Sequence, residues 1–307
     1  MTMFGIVIVR RVVVAGCLAL LPGVASAVND CIPTSTAFAF GAYDTLNPTV
    51  GTSTISVTCD NAGSGSKTYS YTLKLSSGPG SYASRSMTGT GDTLSYNLYT
   101  TAAYSTVWGD GTGGTAVVTG TITVPSGATL VDTKTIFGRI SAPQNVLPGS
   151  YATATPITVT LSRAKVPDRS DFFNASAAVA AQCNTTATSL GFGSITVLSS
   201  QTDASSTITV QCTKNSPYTV GFSAGTTSGA TIAQRLMANG TNTMLYNLYS
   251  NAGRTAIWGN SSGSWVSGTG AGLALPQTLS VYGRVANGQT NLAVGNYLET
   301  ITVTVTY

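Results

Sequence analysis

The chain contains no histidine and one glutamate, Glu299, and it is poor in charge of both signs. It has 14 Lys+Arg and 10 Asp+Glu, 8% of 307 residues, where about 25% is usual in a soluble domain. Each shortage excludes a class of chemistry. Without histidine there is no Ser-His-Asp or Cys-His nucleophile and no imidazole metal ligand. With Glu299 alone and the aspartates scattered through turns, paired catalytic carboxylates are nearly excluded. The few Lys and Arg do not cluster, so a nucleic-acid footprint is missing. Long apolar runs are missing too: residues 12–21 form a run of ten, too short to cross a bilayer. No enzyme activity, metal or cofactor is expected.

What is abundant is glycine, 34 residues, and threonine. Thr is β-branched and Gly supplies positive φ at tight turns. The expectation is an all-β fold. Residues 1–27 read as an export signal: Arg10 and Arg11, the apolar run, then Ala25-Ser26-Ala27 as the cleavage site, with the mature chain starting at Val28. Val14-Ala15-Gly16-Cys17 also resembles a lipoprotein box, although five residues between Arg11 and Cys17 are few for one.

The sequence repeats at an offset of about 150. Tyr96-Asn97-Leu98-Tyr99 returns as Tyr246-Asn247-Leu248-Tyr249, and Trp108-Gly109 as Trp258-Gly259. Phe137-Gly138-Arg139 returns as Tyr282-Gly283-Arg284, and Gly149-x-Tyr151 as Gly295-x-Tyr297. The period is domain-sized, so this is a tandem pair and not a solenoid. Cys31 and Cys59 lie 28 apart, Cys183 and Cys212 29 apart. In an exported chain four cysteines read as two disulfides. Of three connectivities the repeat favours Cys31–Cys59 and Cys183–Cys212, because each copy must fold alone.

Strict alternation marks the strands. Ile301, Val303, Val305 and Tyr307 alternate with threonines, and Ile157, Val159 and Leu161 match them in the first copy. About seven short strands per copy indicate two immunoglobulin-like sandwiches, covering residues 28–162 and 183–307. Residues 163–182 read as a linker. It opens with the densest charge in the chain and continues as Phe173-x-Ala175-x-Ala177-x-Val179-x-Ala181. That second half is either a strand completing the first domain in cis or a surface spacer.

The order of these features, seen twice, resembles the spore coat protein U-like domain, whose members include subunits of archaic chaperone–usher pili. The resemblance implies a second domain lacking one strand. Its groove would be filled by a periplasmic chaperone, then by the next pilin subunit's donor strand after the outer-membrane usher. Ile301, Val303, Val305 and Tyr307 are the expected pairing edge. Only Val28, Asn29 and Asp30 would precede Cys31 in the mature chain, and three residues reach about 10 Å. The chain would accept a strand and donate none, the position of a cell-surface pilus tip adhesin acting in attachment and biofilm formation on an abiotic or host surface. A secreted spore or cyst coat protein and an outer-membrane β-barrel are the alternatives.

Tracing strands from the linker places loops 141–150 and 101–115 at the distal pole. Tyr104, Val107, Pro143, Val146 and Leu147 are then candidate adhesive residues, unless they fold back to cap the sandwich. Trp108 and Trp258 read as core, Arg139 and Arg284 as structural residues bonding loop carbonyls, and the glycine-rich stretch 109–114 as a turn with too few carboxylates for calcium.

Overall fold

Alternation builds these strands, as β3 (Thr49–Asp60) shows: Ser53, Ile55, Val57 and Cys59 are buried while the residues between them are not. Two residues per repeat is the period of a half-buried strand. The computed structural model describes residues 29–89 and 91–307. The expected export signal, Cys17 included, lies outside the described residues. Among the described residues there are twenty strands and no helix.

The first domain contains β1 (Cys31–Ser35), β2 (Phe38–Ala42), β3, β4 (Lys67–Leu75), β5 (Arg85–Gly89) and β6 (Asp92–Tyr99). It continues with β7 (Val118–Val124), β8 (Thr129–Ile140), β9 (Gly149–Ala152), β10 (Ile157–Ser162), β11 (Arg169–Phe173) and β12 (Ala175–Val179). One sheet runs β1-β3-β8-β6-β5-β9-β12-β2 and the other β11-β10-β4-β7. Both contribute to one core, from Ile55, Leu73 and Leu98 to Trp108 and Val159. The second domain has β13 (Cys183–Ala187), β14 (Thr202–Cys212), β15 (Pro217–Phe222), β16 (Arg235–Asn239), β17 (Asn242–Tyr249), β18 (Val266–Thr269), β19 (Gln277–Val285) and β20 (Val303–Thr306). Its sheets run β13-β14-β19-β17-β16 and β18-β15-β20. The strands form two immunoglobulin-like units rather than one barrel. Disulfides join Cys31 to Cys59 and Cys183 to Cys212, each between residues directly opposite on paired strands. Closing a loop of this length is worth about 3.5 kcal/mol.

The charged first half of residues 163–182 is not the expected exposed linker, and the second half takes the cis-strand alternative rather than that of a spacer. They carry β11 and β12, and both belong to the first domain. β11 pairs with β10, Ile157 opposite Phe173 and Leu161 opposite Arg169. β12 runs antiparallel to β9 and parallel to β2. Phe173, Ala175, Ala177 and Val179 are all buried in the first core. The charges look solvated only when read along the chain. Arg163 and Arg169 both pair with Asp30, and the Asp171 carboxylate accepts from Ser35 N at 2.5 Å and Ser35 Oγ at 2.6 Å. Their partners lie more than 130 residues away in sequence, where no local reading reaches.

The two domains meet end to end. Lys214 Nζ is 2.9 Å from Asp92, and Asn145 Nδ2 donates to Ala271 O at 2.9 Å. Gly272 has φ +131, and a Cβ there would sit 2.3 Å from Asn145 Oδ1, so only glycine permits this approach. The disulfide end of the second domain thus faces the first, and loop 141–150 lies at this junction, not at a distal pole. Val146 is 5% exposed and packs in the first core. Pro143, Val146 and Leu147 belong to this junction loop, while Tyr104 and Val107 belong to a turn after β6. Loop 141–150 runs back along β6 toward Asp92, with Gln144 on Ser95 and Leu147 on Asp92, whereas the 101–107 turn leaves β6 at its other end, after Tyr99. Greek-key crossovers defeat tracing by successive hairpins.

Candidate functional site

The segment 169–179 defines a slot in the first domain, and the second domain contains the same slot without that segment. The two copies superimpose through shared contacts. Trp108 Nε1 donates to Leu73 O at 3.2 Å, and Trp258 Nε1 to Val220 O at 2.8 Å. A Cβ on Gly138 would strike Phe38 and Phe40; one on Gly283 would strike Leu190 and Phe192. The Phe40 ring meets Tyr96 edge-on at 5.6 Å, as Phe192 meets Tyr246 at 6.1 Å. Tyr151 Oη donates to Leu147 O, and Tyr297 Oη to Ala293 O. Strand β2 therefore corresponds to residues 190–194, β9 to residues 295–298, and β10 to residues 301–306.

In the first domain β12 lies between β9 and β2, and β11 covers the outer edge of β10. In the second, residues 190–194 are not a strand, and Leu298 contributes one bridge, to Ala238. β20 pairs with β15 on one side, Val305 opposite Val220 and Val303 opposite Phe222. Among the described residues no strand pairs with its other side. Between these walls runs a groove, with contiguous cavities of about 760 and 460 Å³ that share Leu190, Phe192, Met237, Tyr297 and Leu298. The lining mixes apolar side chains with polar groups and is incompletely covered. Phe38, Ile157 and Val159 are fully buried in the first copy; Leu190, Ile301 and Val303 are only partly buried against the second core. The groove offers a backbone edge to pair with and alternate apolar positions to fill, which suits one extended segment. Tyr307, at the far end of the same strand, is exposed.

The family model for the Spore Coat Protein U domain matches residues 17–160 and again 170–304. The chain belongs to the Spore Coat Protein U domain family. The second match begins at residue 170 and so takes in β11 and β12, which fold with the first sandwich. Protein U of Myxococcus xanthus is 33% identical over 106 residues, which are 33% of this chain and 58% of that protein. The fold is also that of a chaperone–tip adhesion subunit pre-assembly complex, CsuC–CsuE, from archaic chaperone–usher pili of Acinetobacter baumannii. That likeness has a TM-score of 0.51 at 15% identity and covers 91% of this chain and 100% of that one.

Within this family member the groove has one charged wall residue. Glu299 lies between Leu298 and Ile301 and accepts from Thr226 N at 2.7 Å, Thr227 N at 3.0 Å and Thr300 N at 2.7 Å. Burial pushes its carboxyl up, but the hydrogen bonds from Thr227, Thr226 and Thr300 outweigh burial and hold it at about 2. It stays ionised and pins the wall backbone.

Other residues hold the scaffold. Arg139 and Arg284 were expected to bond loop carbonyls. Arg284 instead binds the carboxylate of Asp203. The stretch 109–114 is a turn in which Asp110 Oδ1 accepts from Thr112 N and Oγ1. Arg254 bonds the carbonyls of Ala204, Ala252 and Gly283, and two further arginines that bond carbonyls, Arg85 and Arg235, are fully buried. Arg85 donates to Asn97 Oδ1 at 2.5 Å and Trp108 O at 2.7 Å; Arg235 donates to Asn247 Oδ1 and Trp258 O, both at 2.6 Å. Burial pulls Arg85 down to about 10, and it remains a cation at neutral pH. Such a cation needs every one of these acceptors, since an unpaired buried charge is very costly. The sequence signal was present as Arg85-x-Met87 repeated as Arg235-x-Met237. Gln144 and Gln289 recur in the same way, each bonding the backbone of β6 or β17 in place of a further strand.

Proposed function

We propose that this chain is the tip subunit of an archaic chaperone–usher pilus. One observation carries the reading: equivalent slots are occupied by the chain's own strand in the first domain and form an open groove in the second. A segment of the kind a shaft subunit would donate is thus consumed internally, and the second domain is left to accept a strand from outside. The first occupant of the groove is a periplasmic chaperone, the second the donor strand of the next subunit added at the usher. The protein is exported, acts at the cell surface and has no enzymatic role.

Adhesion belongs to the pole farthest from the second domain, at the Cys31–Cys59 end. Its loops, 61–66 and 125–128, are rich in glycine and serine. Beside them Ile32 and Val131 flank Thr58 across three strands, and both are at least half exposed. An exposed apolar cluster on an exported protein marks a contact site. Serine at both positions together is expected to reduce attachment of piliated cells to plastic several-fold without changing pilus number. Unchanged attachment would assign adhesion elsewhere, with Tyr104 and Val107 the next candidates.

A spore or cyst coat role is the second reading, favoured by the family description and by the match to Protein U. Expression of the full chain with and without the chaperone of an archaic pilus system separates the two. A pilus subunit is expected to be recovered as a one-to-one complex and to aggregate when expressed alone. A soluble, monomeric product without chaperone would favour the coat.

A further inference from the structure

The two copies share so much that a local difference between them is informative. On the outer face of the second domain Asp203, Arg284 and Arg254 form one ion cluster. Arg284 grips both carboxylate oxygens, Nε to Oδ1 at 2.7 Å and Nη2 to Oδ2 at 2.9 Å, and Arg254 Nη1 lies 3.2 Å from Oδ2. The same three places in the first domain hold Val50, Arg139 and Tyr104. The registers establish this equivalence. Val50 lies opposite Arg139, which lies opposite Asn97; Asp203 lies opposite Arg284, which lies opposite Asn247. Tyr104 and Arg254 end the same turn with left-handed φ values of 52° and 53°.

The first domain thus has the arginine but an apolar side chain where the second domain has its carboxylate. Among the described residues no carboxylate lies within ion-pair distance of Arg139. Its guanidinium sits 5.9 Å from the centre of the Tyr104 ring, and that ring meets Tyr99 edge-on at 5.6 Å. Val50 is half exposed. Tyr99 also lines a neighbouring cavity of about 320 Å³ with Ser84, Ser95 and Gln144.

We propose that Val50, Tyr99, Tyr104 and Arg139 form a binding site for a carboxylated saccharide. The ligand carboxylate takes the place that Asp203 fills against Arg284, where the planar guanidinium fork matches two oxygens at once. The C–H face of the sugar ring lies against Tyr104 and Val50, which stand where the second domain has charged groups. A neutral sugar would leave Arg139 without a counter-charge, and an acidic peptide would make no particular use of the aromatic rings. The turn is left-handed in both copies, so what distinguishes position 104 is its ring and not its backbone.

The test titrates the full chain with oligogalacturonate, malto-oligosaccharide and polyglutamate by calorimetry. Oligogalacturonate is expected to bind and malto-oligosaccharide not to. Val50→Asp rebuilds the internal ion pair of the second domain and is expected to lower affinity at least tenfold with the fold intact. Tyr104→Gly is expected to lower it at least tenfold while the melting temperature holds or rises, because glycine accepts the left-handed turn. Arg139→Gln is expected to abolish binding. No binding of oligogalacturonate to the native chain, equal binding of polyglutamate, or full affinity in Val50→Asp would each overturn the proposal. None of these residues lines the strand-accepting groove, so the result stands apart from the pilus reading.

Discussion

Aspartate in place of Ile301 or Val303 is expected to abolish strand capture by the second domain while the first domain melts as before. Both residues have fully buried counterparts, Ile157 and Val159, in the first domain. There the slot is filled, and Ile157 lies opposite Phe173 of the filling strand. In the second domain both side chains are only partly buried against the core, so their full burial waits for the incoming strand. Completing the burial of one such side chain is worth up to about 1.5–3 kcal/mol, or roughly ten- to a hundredfold in affinity. A buried carboxylate adds a desolvation cost of several kcal/mol more. The measurement is the yield of one-to-one complex with the chaperone after gel filtration. Thr302→Asp, on the exposed alternate position, is the control and should preserve the complex. Full complex formation by Ile301→Asp and Val303→Asp would mean that strand capture does not run along this edge.

Ala177→Asp should destabilise the first domain by at least 3 kcal/mol. Ala177 is 6% exposed and sits on β12 between β9 and β2; its neighbour Ala178 points outward and is exposed. A carboxylate at 177 would be buried with no counter-charge in reach, and the cost of such a group is severe. A loss of this size is a large part of the 5–15 kcal/mol by which most domains are stable. Ala178→Asp should change stability by less than about 0.5 kcal/mol, as expected at an exposed site. Denaturant unfolding of the full chain, followed through Trp108 in the first core, reports the difference. Equal midpoints for the two variants would show that segment 169–179 does not hold the first domain together.

These two results would test opposite states of one slot. The slot needs a strand because its two sheets leave apolar rows uncovered: Phe38 and Phe40 on one wall, Ile157 and Val159 on the other. In the first domain β11 and β12 cover them in cis, held by Asp30 through Arg163 and Arg169. That buried carboxylate ties the start of the domain to the segment that completes it. Asp30 is pushed up by burial, but the Arg169 hydrogen bond, the Cys31 amide and the charge of Arg163 bring it below the ordinary range. It remains charged at neutral pH, and the tie persists there.

Much of this was legible along the chain because repeats and alternation are one-dimensional signals. Two copies, two disulfides, an all-β fold and the apolar faces of β10 and β20 follow from spacing alone, since a period of two puts every second side chain on one face. The family likeness rested on motif order and needed no contacts. What spacing leaves open is which partner each face meets. The first half of residues 163–182 read as a charged linker, and the second half stayed open between a cis strand and a spacer, because the groups that neutralise and cover them, Asp30, Ser35 and Phe38, come from the far end of the domain. Loop 141–150 read as distal because hairpin tracing assumes neighbours in sequence are neighbours in space, and the sheet order β8-β6-β5-β9 breaks that rule. Nothing in the spacing marks Arg85 and Arg235 as buried, because the carbonyls that hold them come from other strands and turns. The resemblance pointed to a groove in the second domain, but only the tertiary structure decided that its twin is filled in cis, because both slots are lined by nearly the same residues and differ in whether β11 and β12 lie between the walls.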